Sequence, residues 1–375
     1  MVTLYDIYEK IHRLEQQGRD VIEFNVGDPD QMTDERIIKA CIRAMRKGFT
    51  KYGSAAGEMF LRRKIADEHG TRPENVMISP GSKFSIFAAM DKLLGHGDNV
   101  VIPSPHWNAY TLIAERLGAR VKLVNTGIKD RWKVHPEAVE EAIDGRTRAI
   151  ILCNPNNPTS TVMDEKALTE IIGIAERRRI PIISDESYAD ISFKEVGCMA
   201  DSGVGNICVK SFSKTFAMTG WRIGYMIASE ETVRHAMKLV QITTTNVPLF
   251  VQYAASEALD LRSEIAASMR RIYKKRAEEA VRTLGATELA IYRPDAPFYL
   301  FPYCNGDSEK LAMGLVDKGV GVVPGTAFGD YRGHFRIALT VPDGKLRKGL
   351  GILAGEFARR HPATDKHRGS PLPRA

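Results

Sequence analysis

Along the middle of the chain, short apolar runs alternate with segments in which apolar residues recur every three or four positions. The runs Val76–Ser79, Asn99–Ile102, Val121–Val124, Ala149–Cys153, Ile180–Ser184, Ile207–Lys210 and Ile223–Ala228 are brief, rich in β-branched residues and bounded by turn-forming residues, so they read as buried strands. Between two of them, Leu168, Ile171, Ile172 and Ala175 follow the i, i+3, i+4, i+7 spacing of one helix face, with Asp164 placed as its N-cap. Strand, helix, strand in this order predicts right-handed crossovers and a largely parallel seven-stranded sheet covered by helices on both faces. Ligands of such sheets bind at the carboxyl ends of the strands.

The texture changes after about residue 256. A long charged helix, Ser263 to Leu284, is followed by Ile291, the apolar run Phe298–Tyr303, a helix near Glu309–Lys318 and the runs Gly319–Val323 and Phe335–Thr340, with a last helix after them. This predicts a smaller α+β domain, which a helix near Leu4–Gln17 joins because it belongs to no strand–helix–strand unit. The expected division is a large domain over 26–258, a small domain made of 1–25 and 259–360, and a disordered tail over 361–375, where proline, glycine and charge dominate.

Composition narrows the function classes. Of 375 residues, 43% are hydrophobic and 26% charged, as expected of a globular protein. No apolar run approaches the roughly 20 residues that a membrane helix needs. The N-terminus is charged throughout and lacks the apolar stretch of a signal peptide, which makes the cytoplasm the expected location. The five cysteines are scattered without a CxxC pair, so neither a disulfide framework nor a thiolate metal site is expected. The net charge of +7 comes from basic residues interleaved with acids, a pattern that favours small anions over nucleic acid.

Five candidate elements each follow a strand. Ser211-Phe212-Ser213-Lys214 places an amine in a loop of small and hydroxylic residues, where partial desolvation frees it for attack on an aldehyde. Eight residues on, Arg222 within Gly-Trp-Arg-Ile-Gly offers a planar fork suited to phosphate. Asp185, directly after an Ile-Pro-Ile-Ile strand, suits the nitrogen of a pyridine ring, and Tyr188 lies three residues further. Asn154-Pro-Asn-Asn-Pro-Thr159 is held extended by its prolines and can present an amide side chain to a ring oxygen. Gly81, Ser82 and Lys83 open a helix whose free N–H groups form a phosphate site. Trp107 can stack on a flat ring. Each motif alone also reads blandly, as a surface lysine, a helix cap, an ordinary turn or a core aromatic. Together they supply what pyridoxal 5'-phosphate requires.

On these motifs the chain resembles the class I/II aminotransferases, fold-type-I pyridoxal-phosphate enzymes, from about Val21 to Arg359. The resemblance implies the fold just described and a set of roles. Lys214 would be the Schiff-base lysine and the base at Cα. Asp185 would pair with the pyridine nitrogen, Asn157 and Tyr188 would hold the phenolic oxygen, and Trp107 would stack on the ring. Gly81, Ser82, Lys83, Ser211 and Arg222 would bind the phosphate. Gly27, in Asn-Val-Gly-Asp-Pro-Asp, would approach the substrate carboxylate, and Arg336, in Phe-Arg-Ile-Ala, would grip it. Tyr52 would reach the phosphate of a neighbouring subunit, which implies a homodimer with shared sites. The chain departs from the family pattern twice. Ser160 follows Thr159 where glycine is usual, and the stretch Asp295–Tyr299 is shortened. The expected activity moves an amino group between an α-amino acid, of aspartate or aromatic type, and a 2-oxo acid such as 2-oxoglutarate. A C–S β-lyase or a synthase on the same scaffold would use the same residues, and a regulator that kept the fold without turnover is a third reading, which the lack of a DNA-binding extension disfavours.

Overall fold

Seven of the apolar runs form one sheet: β1 (Val76–Ser79), β2 (Asn99–Ser104), β3 (Arg120–Asn125), β4 (Thr147–Cys153), β5 (Ile182–Asp185), β6 (Ile207–Ser211) and β7 (Gly224–Ile227). The structure, a computed structural model, describes residues 4–197, 199 and 205–358, so the expected tail lies outside it. The strand order is β1-β7-β6-β5-β4-β2-β3. All neighbours run parallel except β7, which is antiparallel to both β1 and β6. β1, β5, β6 and β7 are buried along their whole length, which is why they read as continuous apolar runs instead of alternating ones. β3, at one edge, is mostly exposed or half-buried.

The reversed strand matters for what lies at the sheet's end. Gly224, the first residue of β7, pairs with Ser79 and with Ser211, the last residues of β1 and β6. Residues just before β7 therefore sit at the carboxyl ends of its neighbours. A Cβ on Gly224 would lie 2.8 Å from both the Lys210 carbonyl oxygen and the Ser82 nitrogen, so only glycine lets the Gly81–Ser82 turn settle onto this strand.

Helices cover both faces. Glu165–Arg178 begins at Asp164, whose carboxylate accepts from the Lys166 and Ala167 amides. Its buried face is Ile171, Ile174 and Ala175, while Leu168 and Ile172 are only half-buried, so the stripe is rotated slightly from the one the spacing suggested. The Ser82–Leu93 helix packs Ile86, Ala88, Ala89 and Met90 against the opposite face.

A separate core brings together the two ends of the chain. Ile7 and Ile11 of the Leu4–Gln16 helix, with Phe24, pack on Leu311 and Leu315, Phe335 and Ile337, and Leu346, Leu350 and Leu353 of the last helix. Two small sheets accompany it. Ile22–Glu23 runs parallel to Val320–Gly321, and Phe335–Ala338 lies between Val323–Pro324 and Tyr299–Leu300. Of the apolar run 298–303, only Tyr299–Leu300 forms a strand. Phe298 is left-handed (φ +86°) and Pro302 has no amide hydrogen for the ladder. The 24-residue helix Arg262–Gly285 runs between the two cores. Among the described residues no helix is long and apolar enough to cross a membrane.

Candidate active site

Asp185 ends β5 and is almost fully buried. Alternation along the strand turns it and its neighbour Glu186 apart. Glu186 accepts from the Ser184 hydroxyl and the Met199 amide and lies 3.6 Å from Lys210, so Asp185 is the acid that faces the cleft. Three donors hold the Asp185 carboxylate: the Ser187 hydroxyl (2.6 Å) and amide (3.1 Å) on Oδ1, and the Tyr110 hydroxyl (2.8 Å) on Oδ2. Burial raises its pKa above the ordinary carboxylate value, and the Ser187 and Tyr110 hydrogen bonds and the charge of Lys214 oppose that rise in part.

Lys214 sits on the one-turn helix Phe212–Thr215 directly after β6. Its amine donates to the Gly27 carbonyl at 2.6 Å. Ser211 caps this turn, its hydroxyl oxygen accepting from the Ser213 amide (3.1 Å), which leaves the hydroxyl hydrogen to donate elsewhere. Arg222, just before β7, is left-handed (φ +54°) and anchored by Nη1 on the Thr219 carbonyl at 2.7 Å. A Cβ on Gly81 would fall 2.7 Å from Arg222 Nη2, so the glycine gives the guanidinium its place beside the Ser82 helix start.

Arg336 lies on the strand of the second core yet points at the same cleft. Nη1 donates to Asn157 Oδ1 and Nη2 to the Asn25 carbonyl, both at 2.9 Å. Its guanidinium lies 4.3 Å from the centre of the Tyr299 ring and 5.0 Å from that of Phe328. The Tyr299 hydroxyl is 3.0 Å from that of Tyr188. The segment carrying Gly27 is bonded along its length: the Phe24 carbonyl accepts from the Ala338 amide, Asn25 from Arg336, Val26 from the Thr340 hydroxyl and Gly27 from Lys214. Beyond it, Asp30 accepts both arms of the buried Arg276 fork at 2.6 and 2.9 Å.

Lys214, Asp185, Tyr188, Asn157, Gly27 and Arg336 are thus brought together, with Gly81, Ser82, Ser211 and Arg222 grouped at the ends of β1, β6 and β7. Trp107 is half-buried and packs edge-on against Tyr110, 5.6 Å between centroids. The Lys83 side chain turns away from the Gly81 turn and lies over Trp107, its Nζ 4.9 Å from the ring centre, so only its backbone belongs to the helix start. Tyr52 stands apart, 85% exposed. Gly27 is needed for a reason the sequence did not suggest: the Tyr299 hydroxyl occupies the space that a Cβ there would take.

A family model for aminotransferase class I and II matches residues 19–353. The chain belongs to the class I and II aminotransferases. It is 33% identical to an aspartate aminotransferase of Thermococcus kodakarensis over 358 residues, covering 95% of this chain and 93% of that one. It is 35% identical to a probable aspartate/prephenate aminotransferase of Aquifex aeolicus, covering 92% and 93%. A solved aspartate aminotransferase of Thermus thermophilus with maleate superposes with a TM-score of 0.91 at 30% identity, over 95% of this chain and 96% of that one.

The aminotransferase uses pyridoxal phosphate, and its residues fit that group. A helix start, a hydroxyl and a guanidinium converge where a Cβ on Gly81 would intrude, as a phosphate requires. A buried carboxylate lies close enough to the Lys214 amine to feel its charge. Transamination, not C–S lysis, is the activity these relatives support.

Two members of the site escaped the sequence reading, Tyr110 and Ser187. Tyr110 follows Trp107 by three positions and Ser187 follows Asp185 by two, but the pattern of apolar residues does not show that both hydroxyls meet one carboxylate. Because both bonds stabilise the ionised form, Tyr110→Phe and Ser187→Ala each raise the pKa of Asp185. The acid limb of cofactor affinity, followed by absorbance, is expected to move to higher pH in each variant, and further in the double variant. An unmoved limb contradicts this. Cys153, nearby, is pushed up to about 12 by burial and is inert as a nucleophile at neutral pH.

Proposed function

We propose that this aminotransferase transfers the amino group of L-aspartate to 2-oxoglutarate, with Lys214 as the proton-moving amine and Arg336 as the carboxylate fork. One observation carries the assignment. Lys214 and Arg336 bind carbonyls only two residues apart, on Gly27 and Asn25. Two extended residues span about 7 Å, so amine and guanidinium flank a space suited to an α-amino acid. Aspartate is supported by the relatives, several of which carry the name aspartate aminotransferase. The aromatic walls around Arg336, Tyr299 and Phe328, support aromatic donors as a second class.

When bound, pyridoxal phosphate supplies an electrophilic aldehyde carbon and a ring that accepts electrons. Asp185, bonded by Ser187 and Tyr110, would hold a proton on the ring nitrogen. Asn157 and Tyr188 would hold the phenolic oxygen, and Trp107 would cover the ring face. Tyr188 stays neutral, because burial raises its pKa well above the ordinary phenol value, and it acts as a hydrogen-bond donor. Gly81, Ser82 and Lys83 through their amides, Ser211 through its hydroxyl and Arg222 through its fork hold the phosphate. Arg336 fixes the substrate's α-carboxylate by two parallel hydrogen bonds and so orients the Cα–H bond toward Lys214. Lys214 would accept that proton from Cα and hold it on its amine. The Gly27 carbonyl orients the amine.

The separate core that joins the two ends of the chain supports a domain division at residues 25/26 and 258/259. Tyr52, exposed here, completes the phosphate site of a second copy in a cytoplasmic homodimer. Four free cysteines among the described residues suit a reducing compartment. Sedimentation is expected to show a dimer, and a fully active monomer overturns that part. The assignment as a whole is tested with purified, cofactor-loaded protein and a panel of amino donors and 2-oxo acids. The expected result is fastest exchange with L-aspartate and 2-oxoglutarate. Pyruvate and ammonia released from a thioether amino acid without an acceptor would overturn it.

A further inference from the structure

Ser160 follows the asparagine–proline loop, is 1% exposed and adopts a left-handed conformation (φ +53°). Glycine enters that region freely, whereas serine is strained there. The side chain makes two bonds that glycine cannot. Its hydroxyl donates to the Pro297 carbonyl and accepts from the Tyr299 amide, both at 3.1 Å. Its own carbonyl accepts from the Asp295 and Ala296 amides at 2.9 and 3.0 Å. One residue therefore anchors the whole 295–299 segment by four hydrogen bonds. The two places where the sequence departs from the family pattern are in contact with each other.

What the anchor delivers is Tyr299. The ring lies against the Arg336 guanidinium at 4.3 Å, the hydroxyl meets Tyr188 at 3.0 Å, and the same hydroxyl fills the space beside Gly27. The Arg336 fork is thereby restricted on one face, and the wall opposite Asn157 is set by an aromatic ring.

We propose that Ser160 is a positioning residue that sets Tyr299, and that Tyr299 in turn fixes the orientation in which Arg336 receives the substrate carboxylate and limits the side chains that fit beside it. This deepens the function proposed above and rests on the carboxylate role of Arg336. The strained serine supplies a hydroxyl whose two bonds a relaxed glycine could not make.

The test uses the cofactor-loaded full chain and the variants Ser160→Gly and Ser160→Ala. Glycine relieves the backbone while alanine does not, and both lose the hydroxyl. The melting temperature is expected to stay close to the parent's in the glycine variant and to fall in the alanine variant. In both, exchange of the Tyr299 amide quickens about 10-fold and KM for the amino donor rises about 10-fold, as the loss of one buried hydrogen bond implies, while kcat changes less than about threefold. An unchanged KM in both variants overturns the proposal. So does a joint fall of kcat and melting temperature in the glycine variant, which marks a merely structural role. A parent without transaminase activity sinks the function proposed above and not the anchor, which the exchange rates report by themselves.

Discussion

In the Lys214→Ala variant, transamination is expected to fall by about 10⁴-fold, the upper range for loss of a positioned acid–base group. Neither Lys210 nor Lys83 can replace it. Lys210, four residues earlier, is buried on the far side of the strand beside Glu186 and Asp190. Lys83 lies over Trp107. The phosphate group of residues and Asp185 are untouched, so the variant is expected to bind the cofactor and to fold as the parent does. Borohydride reduction is the decisive check. The parent acquires a stable cofactor label on the peptide carrying Lys214, and the variant acquires none. A variant that is still labelled, or a parent labelled elsewhere, would remove the chemical centre of the proposed function.

For Arg336→Lys the expected loss is in substrate capture. The lysine keeps a positive charge but cannot reproduce a planar fork that reaches Asn157, Asn25 and a carboxylate together. Truncating one partner of a buried, hydrogen-bonded charge pair costs about 2–5 kcal/mol, so kcat/KM for the amino acid is expected to drop about 10²–10³-fold, mostly through KM. Cofactor affinity is expected to hold within about threefold, because Arg336 meets the substrate end of the cleft and not the phosphate end. Steady-state kinetics with a parallel cofactor titration checks both halves. An equal loss in cofactor affinity would mean that Arg336 supports the fold of the site instead of gripping substrate.

Much of this was readable along the chain, because the signals are local. Buried strands announce themselves as short β-branched runs, and all seven lie within two residues of where those runs stand. Asp164 announced a helix start, and its side chain caps that helix. Each motif that follows a strand lies at the sheet's carboxyl edge, because parallel strands deliver their ends to one side. Phe298 showed the limit. It belongs to an apolar run, and with its left-handed backbone only the two residues after it form a strand.

By itself the sequence determined which chemistry is present: an amine after a hydroxyl-rich strand end, a carboxylate after an apolar strand, a glycine at a helix start and a fork in a late strand. Only the tertiary structure decided which of these groups meet and what holds them. Arg222 sits beside the Gly81 turn because β7 runs against its neighbours, and strand direction is not written in a hydrophobic pattern. Tyr110 reaches Asp185 and Ser160 reaches Tyr299 across 75 and 139 positions of sequence. Arg336 meets Asn25 across 311. A hydrogen bond depends on distances of about 3 Å between particular atoms. Spacing along the chain constrains such distances only within one turn or one strand, and beyond that the packing of the two cores sets them.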